Sequence, residues 1–302
     1  MASVLLAPAA YAKDADADFV ASEGDVSIEN ERALQPIDYA SANAQEAESA
    51  FTVSGEATLT TDYRFRGVSQ TDKGGAIQGG FTIAHESGFY VGTWASNLSG
   101  WGTFGGANME LDLIAGYEMP VGEGSLDVGI VWYMYPSGAD TTDFAELYAT
   151  LSGSVGPIDL SAGVAYAPSQ EALGNVFPDA PSSLIGIPID PGDKEDNLYL
   201  SADAGYSIPN SPITLSAHLG YSDGNPGVGP NGTTIAPTGT YFDWSLGAEV
   251  TPIEGLTLSI AYIDTDITAA DAAFLQPSFS VGNDGTGDIA DATVVASITA
   301  SF

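Results

Sequence analysis

Few side chains in this sequence are equipped for chemistry. Only two of its 302 residues are His, none is Cys, and six basic residues stand against 40 acidic ones, for a net charge of -34. Without Cys there is no thiol chemistry, disulfide framework or Cys-ligated zinc or iron–sulfur site. Such an acidic surface repels phosphate backbones, which excludes nucleic-acid binding driven by counterion release. His218 shares an inward row with Thr214, Ser216 and Gly220. A general base there needs a nucleophile from a neighbouring strand, and the sequence places none in a recognisable frame. His85 falls on an apolar row beside a short turn, where an interfacial ring accounts for it. The acidic runs Asp190–Asn197 and Asp264–Asp266 carry carboxylate oxygens suited to Ca²⁺, but neither completes a calcium-loop pattern, and solvated loop charge explains both. No catalytic residue, metal ligand or cofactor is assigned, and the expectation is a protein that is not an enzyme.

The remaining charges follow a spacing rule. Glu56, Asp62, Arg64, Arg66, Glu110, Asp112, Asp127, Glu146, Asp159, Asp203, Asp243, Glu249 and Asp291 all occupy the polar positions of segments that alternate with period two. In Phe51 to Phe65, for example, Phe51, Val53, Ala57, Leu59, Tyr63 and Phe65 oppose Thr52, Ser54, Glu56, Thr58, Asp62 and Arg64. That is a strand with one apolar and one polar face. Similar segments run over 77–85, 109–117, 126–134, 145–153, 158–166, 198–208, 213–221, 242–250, 256–262 and 290–302. Phe89 to Asn97 is a further strand that cannot be phased, because Phe89, Val91 and Ala95 compete with Tyr90 and Trp94. The apolar rows carry no charged residue.

A soluble sandwich also alternates, but three features favour lipid on the apolar face. Short connections near Glu86, Pro120, Ser154, Pro209 and Pro252 interleave with long ones at 69–75, 98–108, 168–196, 222–239 and 265–288. Transmembrane barrels have that asymmetry. Aromatics stand near the ends of apolar rows, among them Phe51, Tyr63, Phe65, Tyr117, Tyr166, Tyr206, Tyr221 and Tyr262, as interfacial girdles require. Finally, Phe302 ends a row with Val294, Ala296, Ile298 and Ala300, which resembles the sorting signal of bacterial outer-membrane barrels. Only a closed barrel satisfies every strand N–H and C=O in lipid. The expected fold is all-β: a closed antiparallel transmembrane β-barrel of about 12 strands over 51–302. Residues 1–12 read as the remnant of a signal peptide, ending Ala10-Tyr11-Ala12. Residues 13–50, with ten acidic and two basic side chains, read as an acidic flexible segment.

The run Asp62-Tyr63-Arg64-Phe65-Arg66-Gly67-Val68-Ser69-Gln70-Thr71-Asp72 resembles the TorF family of proposed porins. So do Gln78-Gly79-Gly80-Phe81, Ser87 to Asn97, Glu110 to Tyr117, Tyr133 to Pro136 and Phe144 to Tyr148. The likeness covers residues 56 to 148 specifically and the later strands in general terms. It implies an outer-membrane pore of a Gram-negative bacterium and supplies no substrate. The expected partners are outer-membrane lipid, the barrel-assembly machinery and small solutes or cations. Acids outnumber Arg64 and Arg66 on the polar rows, so a narrow, cation-preferring lumen is expected. A non-conducting structural or lipid- and cation-organising barrel is the competing expectation. The two Arg are either a positive rung in a constriction or internal counter-ions.

Overall fold

The computed structural model describes residues 49–302 apart from 140, 175–191, 193, 226–233 and 276–278. The expected signal remnant, and the acidic segment except its last two residues, lie outside that range.

Fourteen strands are described: β1 (Phe51–Thr60), β2 (Arg64–Phe65), β3 (Val68–Ser69), β4 (Ala76–His85), β5 (Phe89–Asn97), β6 (Met109–Val121), β7 (Gly124–Met134), β8 (Phe144–Val155), β9 (Ile158–Gln170), β10 (Glu195–Ser207), β11 (Ile213–Gly224), β12 (Thr240–Ile253), β13 (Leu256–Thr265) and β14 (Thr293–Ser301). All but β2 and β3 pair with their barrel neighbours in antiparallel register, and β1 closes the ring on β14. The twelve-stranded closed barrel is therefore as the alternation predicts. The hairpin of β2 and β3 stands apart from the wall.

Side-chain exposure follows the pleat. Leu113, Trp132, Leu147, Leu200, Leu219, Leu246 and Ile260 face outward at 43–62% exposure. On the opposite rows Asp112, Glu146, Tyr199 and Asp243 are buried. This arrangement inverts a soluble protein, as lipid contact requires. The unphased strand β5 resolves in the same way. Phe89 and Val91 face outward, whereas Tyr90 and Trp94 turn into the lumen.

Five tight connections lie at one end of the barrel, at 86–88, 122–123, 156–157, 208–212 and 254–255. The other end carries the longer connections, including 135–143, which the sequence pattern did not separate as a loop. Phe51, opposite His85, and Phe302 both lie at the tight-turn end. The Phe51 and His85 rings meet edge-on at 4.8 Å, which places His85 in the expected aromatic rim. Phe302 exchanges backbone hydrogen bonds of 3.0 Å with Gly55. Its ring covers that glycine so closely that a Cβ on residue 55 would sit 2.6 Å from it.

Two expectations need correction. The alternation predicts a first strand through Phe65, but β1 ends at Thr60 and the chain turns inward. Tyr63, expected in the lipid-facing girdle, is fully buried, and Phe65 packs edge-on against Tyr133 inside the barrel. The last strand begins at Thr293 rather than Ala290. Asp291 therefore lies in a connection, its side chain exposed and only its carbonyl turned to the interior.

Candidate functional site in the lumen

The chain between β1 and β4 enters the barrel and occupies its loop-side half. Asp62 organises it. Its carboxylate accepts hydrogen bonds from Arg64 Nε at 2.8 Å, Ser69 Oγ at 2.6 Å and Thr71 Oγ1 at 3.2 Å. Those bonds hold the chain in a hairpin whose tip, Arg66-Gly67, has positive φ at both residues (48° and 80°). Two such residues in succession turn the chain tightly enough to reverse within the lumen. Gly67 is required for space as well as conformation, since a Cβ there would lie 2.5 Å from Thr265 Cγ2 and 2.9 Å from Asp243 Cβ.

Arg66 spans the lumen from that tip. Its guanidinium donates to Glu146 Oε2 at 2.6 Å and Asn197 Oδ1 at 2.8 Å, and lies 4.1 Å above the Tyr199 ring. Tyr241 donates its hydroxyl to the Arg66 carbonyl at 2.9 Å. Arg64 donates to the carbonyls of Gly67 and Asp291 at 2.8 and 3.0 Å. Side chains of both ion pairs, Arg64–Asp62 and Arg66–Glu146, are 5% exposed or less. At that burial each Arg depends on its carboxylate to offset desolvation.

Aromatic side chains fill the space around the hairpin. Tyr63 meets Trp94 edge-on at 5.3 Å, and Tyr133 stacks on Phe144 at 4.6 Å. The Tyr63 hydroxyl donates to Glu110 Oε1 at 2.9 Å. Above this layer Ile267, Leu275, Phe279 and Ile289 of the connection between β13 and β14 pack with Val68 of the hairpin and Tyr241 of β12 into an apolar cap, with Trp101 edge-on to Phe279 at 5.0 Å. At its surface the Thr268 hydroxyl and then its backbone N–H bond to Asp271, holding that exposed carboxyl below its usual range.

The tight-turn half differs. Tyr90 donates to both oxygens of Asp127 at 2.8 and 2.9 Å and bonds to the Tyr148 hydroxyl. Ser125 pairs with Ser152, and Ser161 donates to Asp203. Glu56, Asp127, Asp203 and Glu249 are partly exposed here, and Asp159 is exposed at the rim. At the junction of the halves His218 Nδ1 lies 2.7 Å from Asp203 Oδ1, and Nε2 lies 3.1 Å from Asp243 Oδ1 and 2.9 Å from the Tyr199 hydroxyl. Both ring nitrogens are engaged, so this geometry presents no free imidazole nitrogen for base catalysis.

The thirteen charged positions thus separate into groups. Asp62, Arg64 and Arg66 belong to the hairpin, not to a wall strand. Glu110, Asp112, Glu146 and Asp243 are buried wall residues around it. Glu56, Asp127, Asp159, Asp203 and Glu249 line the tight-turn half, and Asp291 is in a connection. Sequence reasoning missed the inward aromatics Tyr63, Trp94, Tyr133, Phe144 and Tyr199, and the carboxylate partners of His218. The Arg-Gly pair flanked by apolar residues was the signal available for the hairpin tip. Of the acidic runs weighed for Ca²⁺, Asp264 accepts from Tyr262 and Thr265, and Asp266 accepts from the Phe242 N–H. The other run is only partly within the described residues.

No curated protein matches this sequence. Among solved structures, the KdgM porin aligns at TM-score 0.49 and 8% identity, covering 82% of this chain and 99% of that one. An outer-membrane channel from Pseudomonas putida aligns at TM-score 0.39 and 11% identity, covering 89% and 98%. The translocator domain of the autotransporter NalP from Neisseria meningitidis aligns at TM-score 0.37 and 14% identity, covering 85% and 90%. The barrel assignment rests on the hydrogen-bonded closure of β1 on β14. The model of Gcw_chp, described as a bacterial protein of unknown function, matches residues 44–302, and the chain belongs to that family.

Proposed function

We propose that this protein is an outer-membrane channel of narrow bore, in which small solutes, cations ahead of anions, cross an acidic vestibule and meet a constriction formed by the inserted hairpin. The observation that carries this reading is the charge of the wetter half. Glu56, Asp127, Asp159, Asp203 and Glu249 reach water there, while both Arg are sequestered in buried ion pairs. The resulting negative potential attracts cations over roughly 8 Å at physiological ionic strength, which is significant in a narrow lumen. The residual likeness to the TorF family agrees with this assignment. In the same reading residues 1–12 are the end of an export signal, residues 13–50 an acidic periplasmic segment, and Phe302 the sorting signal read by the barrel-assembly machinery. The apolar outer rows meet lipid of a Gram-negative outer membrane.

A second reading, a barrel that does not conduct, is favoured by the packing of Tyr63, Phe144 and the two ion pairs across the loop half. Planar-bilayer recording separates them. Purified protein should give small, discrete current steps, with a reversal potential in a KCl gradient on the cation side. Insertion without steps would establish the structural reading, and a chloride-side potential would remove the acidic vestibule from the argument.

A further inference from the structure

Two Arg do not match all the buried acids of the lumen. Asp62 and Glu146 are paired with Arg64 and Arg66, but Asp243 is 2% exposed and paired with neither. Among the described residues its carboxylate meets the Tyr199 hydroxyl, 3.2 Å from each oxygen, and His218 Nε2, 3.1 Å from Oδ1. The other ring nitrogen, Nδ1, lies 2.7 Å from Asp203 Oδ1. Gly220, two residues along the inward row of β11, leaves the room for this cluster, since a Cβ there would overlap the Tyr199 hydroxyl and Asp243 Oδ2.

These contacts fix the number of protons. An ionised carboxylate only accepts hydrogen bonds, and a neutral imidazole donates from one nitrogen. If a neutral ring donates to Asp203, its Nε2 lone pair faces an oxygen of Asp243. Giving that lone pair the Tyr199 proton strips a buried carboxylate of its donor, which is costly. A second ring proton satisfies every group at once: Nδ1–H donates to Asp203, Nε2–H to Asp243, and the Tyr199 hydroxyl to Asp243 as well. Between ring and carboxyl, imidazole is much the stronger base.

We infer that His218 is an imidazolium at neutral pH, a third cation beside Arg64 and Arg66, and that it limits the cation preference where the acidic vestibule meets the hairpin. It faces Asp203 and Tyr199 of β10 and Asp243 of β12, and the Arg66 guanidinium lies 4.1 Å above the Tyr199 ring. Asp203, its side chain 28% exposed, therefore presents an opposed charge to water. The effect on selectivity rests on the channel reading; the charge of the ring does not.

Nitrogen-15 NMR of the histidine rings tests this on wild-type protein in detergent at about pH 7.5, where an unpartnered imidazole is mostly neutral. The chain has only two His, so His85→Gln identifies the His218 signals. Both nitrogens of His218 should carry protons, whereas Nδ1 of His85, which accepts from the Ser87 N–H at 3.1 Å, should not. A bare nitrogen on His218 overturns the proposal, whether or not the barrel conducts. His218→Gln should lower the unfolding temperature by leaving Asp243 without its cation, and adding Asp243→Asn should restore part of the loss. Absence of recovery overturns the pairing. In a KCl gradient at low salt His218→Gln should move the reversal potential further to the cation side, and an unmoved or chloride-ward potential overturns the selectivity role. Wild type without current would refute the channel reading and the selectivity role together, while the ring spectrum still decides the charge.

Discussion

The two halves of the lumen share one wall of twelve strands but solve different problems. In the tight-turn half the inward rows carry hydroxyls and carboxylates such as Ser125, Asp127, Ser152 and Glu249, all partly exposed, with Ser125 bonded to Ser152 and Asp127 accepting from Tyr90. In the loop half the same rows meet a second layer of protein, and the side chains become Trp94, Tyr133, Phe144 and Tyr199 beside fully buried ion pairs. The inserted segment and these aromatics together fill the loop half of the lumen. Position on an inward row therefore does not determine chemistry; what occupies the lumen at that depth does. In the proposed channel, charge on the open side would act through its field on solutes, whereas charge on the filled side makes fixed bonds that hold the hairpin in place.

Removing the filling should have the largest effect. Replacing Arg64–Ser69 by a short Gly/Ser linker should raise single-channel conductance several-fold, because an emptied twelve-strand barrel lies between side-chain-filled and water-filled sizes. Conductance equal to wild type would locate the constriction elsewhere. Next in size is Arg66→Ala, which leaves Glu146 buried and unpaired and should cost about 3–5 kcal/mol. The loss should appear as a lower unfolding temperature in detergent. Adding Glu146→Gln should recover part of it, and absence of recovery would mean the pair is not what anchors the tip. The smallest effect belongs to the open half. Glu56→Gln with Glu249→Gln should change stability by no more than about 0.5 kcal/mol per site, yet move the reversal potential toward zero at low salt and less at high salt. A large stability loss would erase the distinction between the halves.

The wall was legible because lipid enforces it. Strands such as β6 and β12 have one side that admits no charge, and alternation records that directly. The lumen was less legible because its selective pressures vary with depth. Tyr63 and Phe65 continue the period of β1, since an extended hairpin packed between aromatic walls also alternates, Tyr63 toward Trp94 and Arg64 toward Asp62. Strand β5 resisted phasing for the related reason that Trp94 faces inward yet touches protein rather than water. The carboxylates around His218 come from β10 and β12, 15 residues before it and 25 after. Their meeting depends on strand register, which a single sequence does not specify.

The hairpin's anchors are far apart along the chain. Arg66 reaches Glu146 and Asn197, 80 and 131 residues away, Tyr241 reaches back 175 residues to the Arg66 carbonyl, and Arg64 binds the carbonyl of Asp291 across 227 residues. The contacts to Glu146, Asn197 and Tyr241 join an early part of the chain to wall positions that must already be in place, and the contact to Asp291 joins it to the connection before β14. Loop closure over such separations carries its entropic cost before the contact returns any stability. Assembly therefore has an order: the strands that carry Glu146, Asn197 and Tyr241 associate first, and the segment following Thr60 seats afterwards. An incompletely seated hairpin would leave an otherwise closed cylinder with a transiently open interior, a kinetic species distinct from both the native and the unfolded protein.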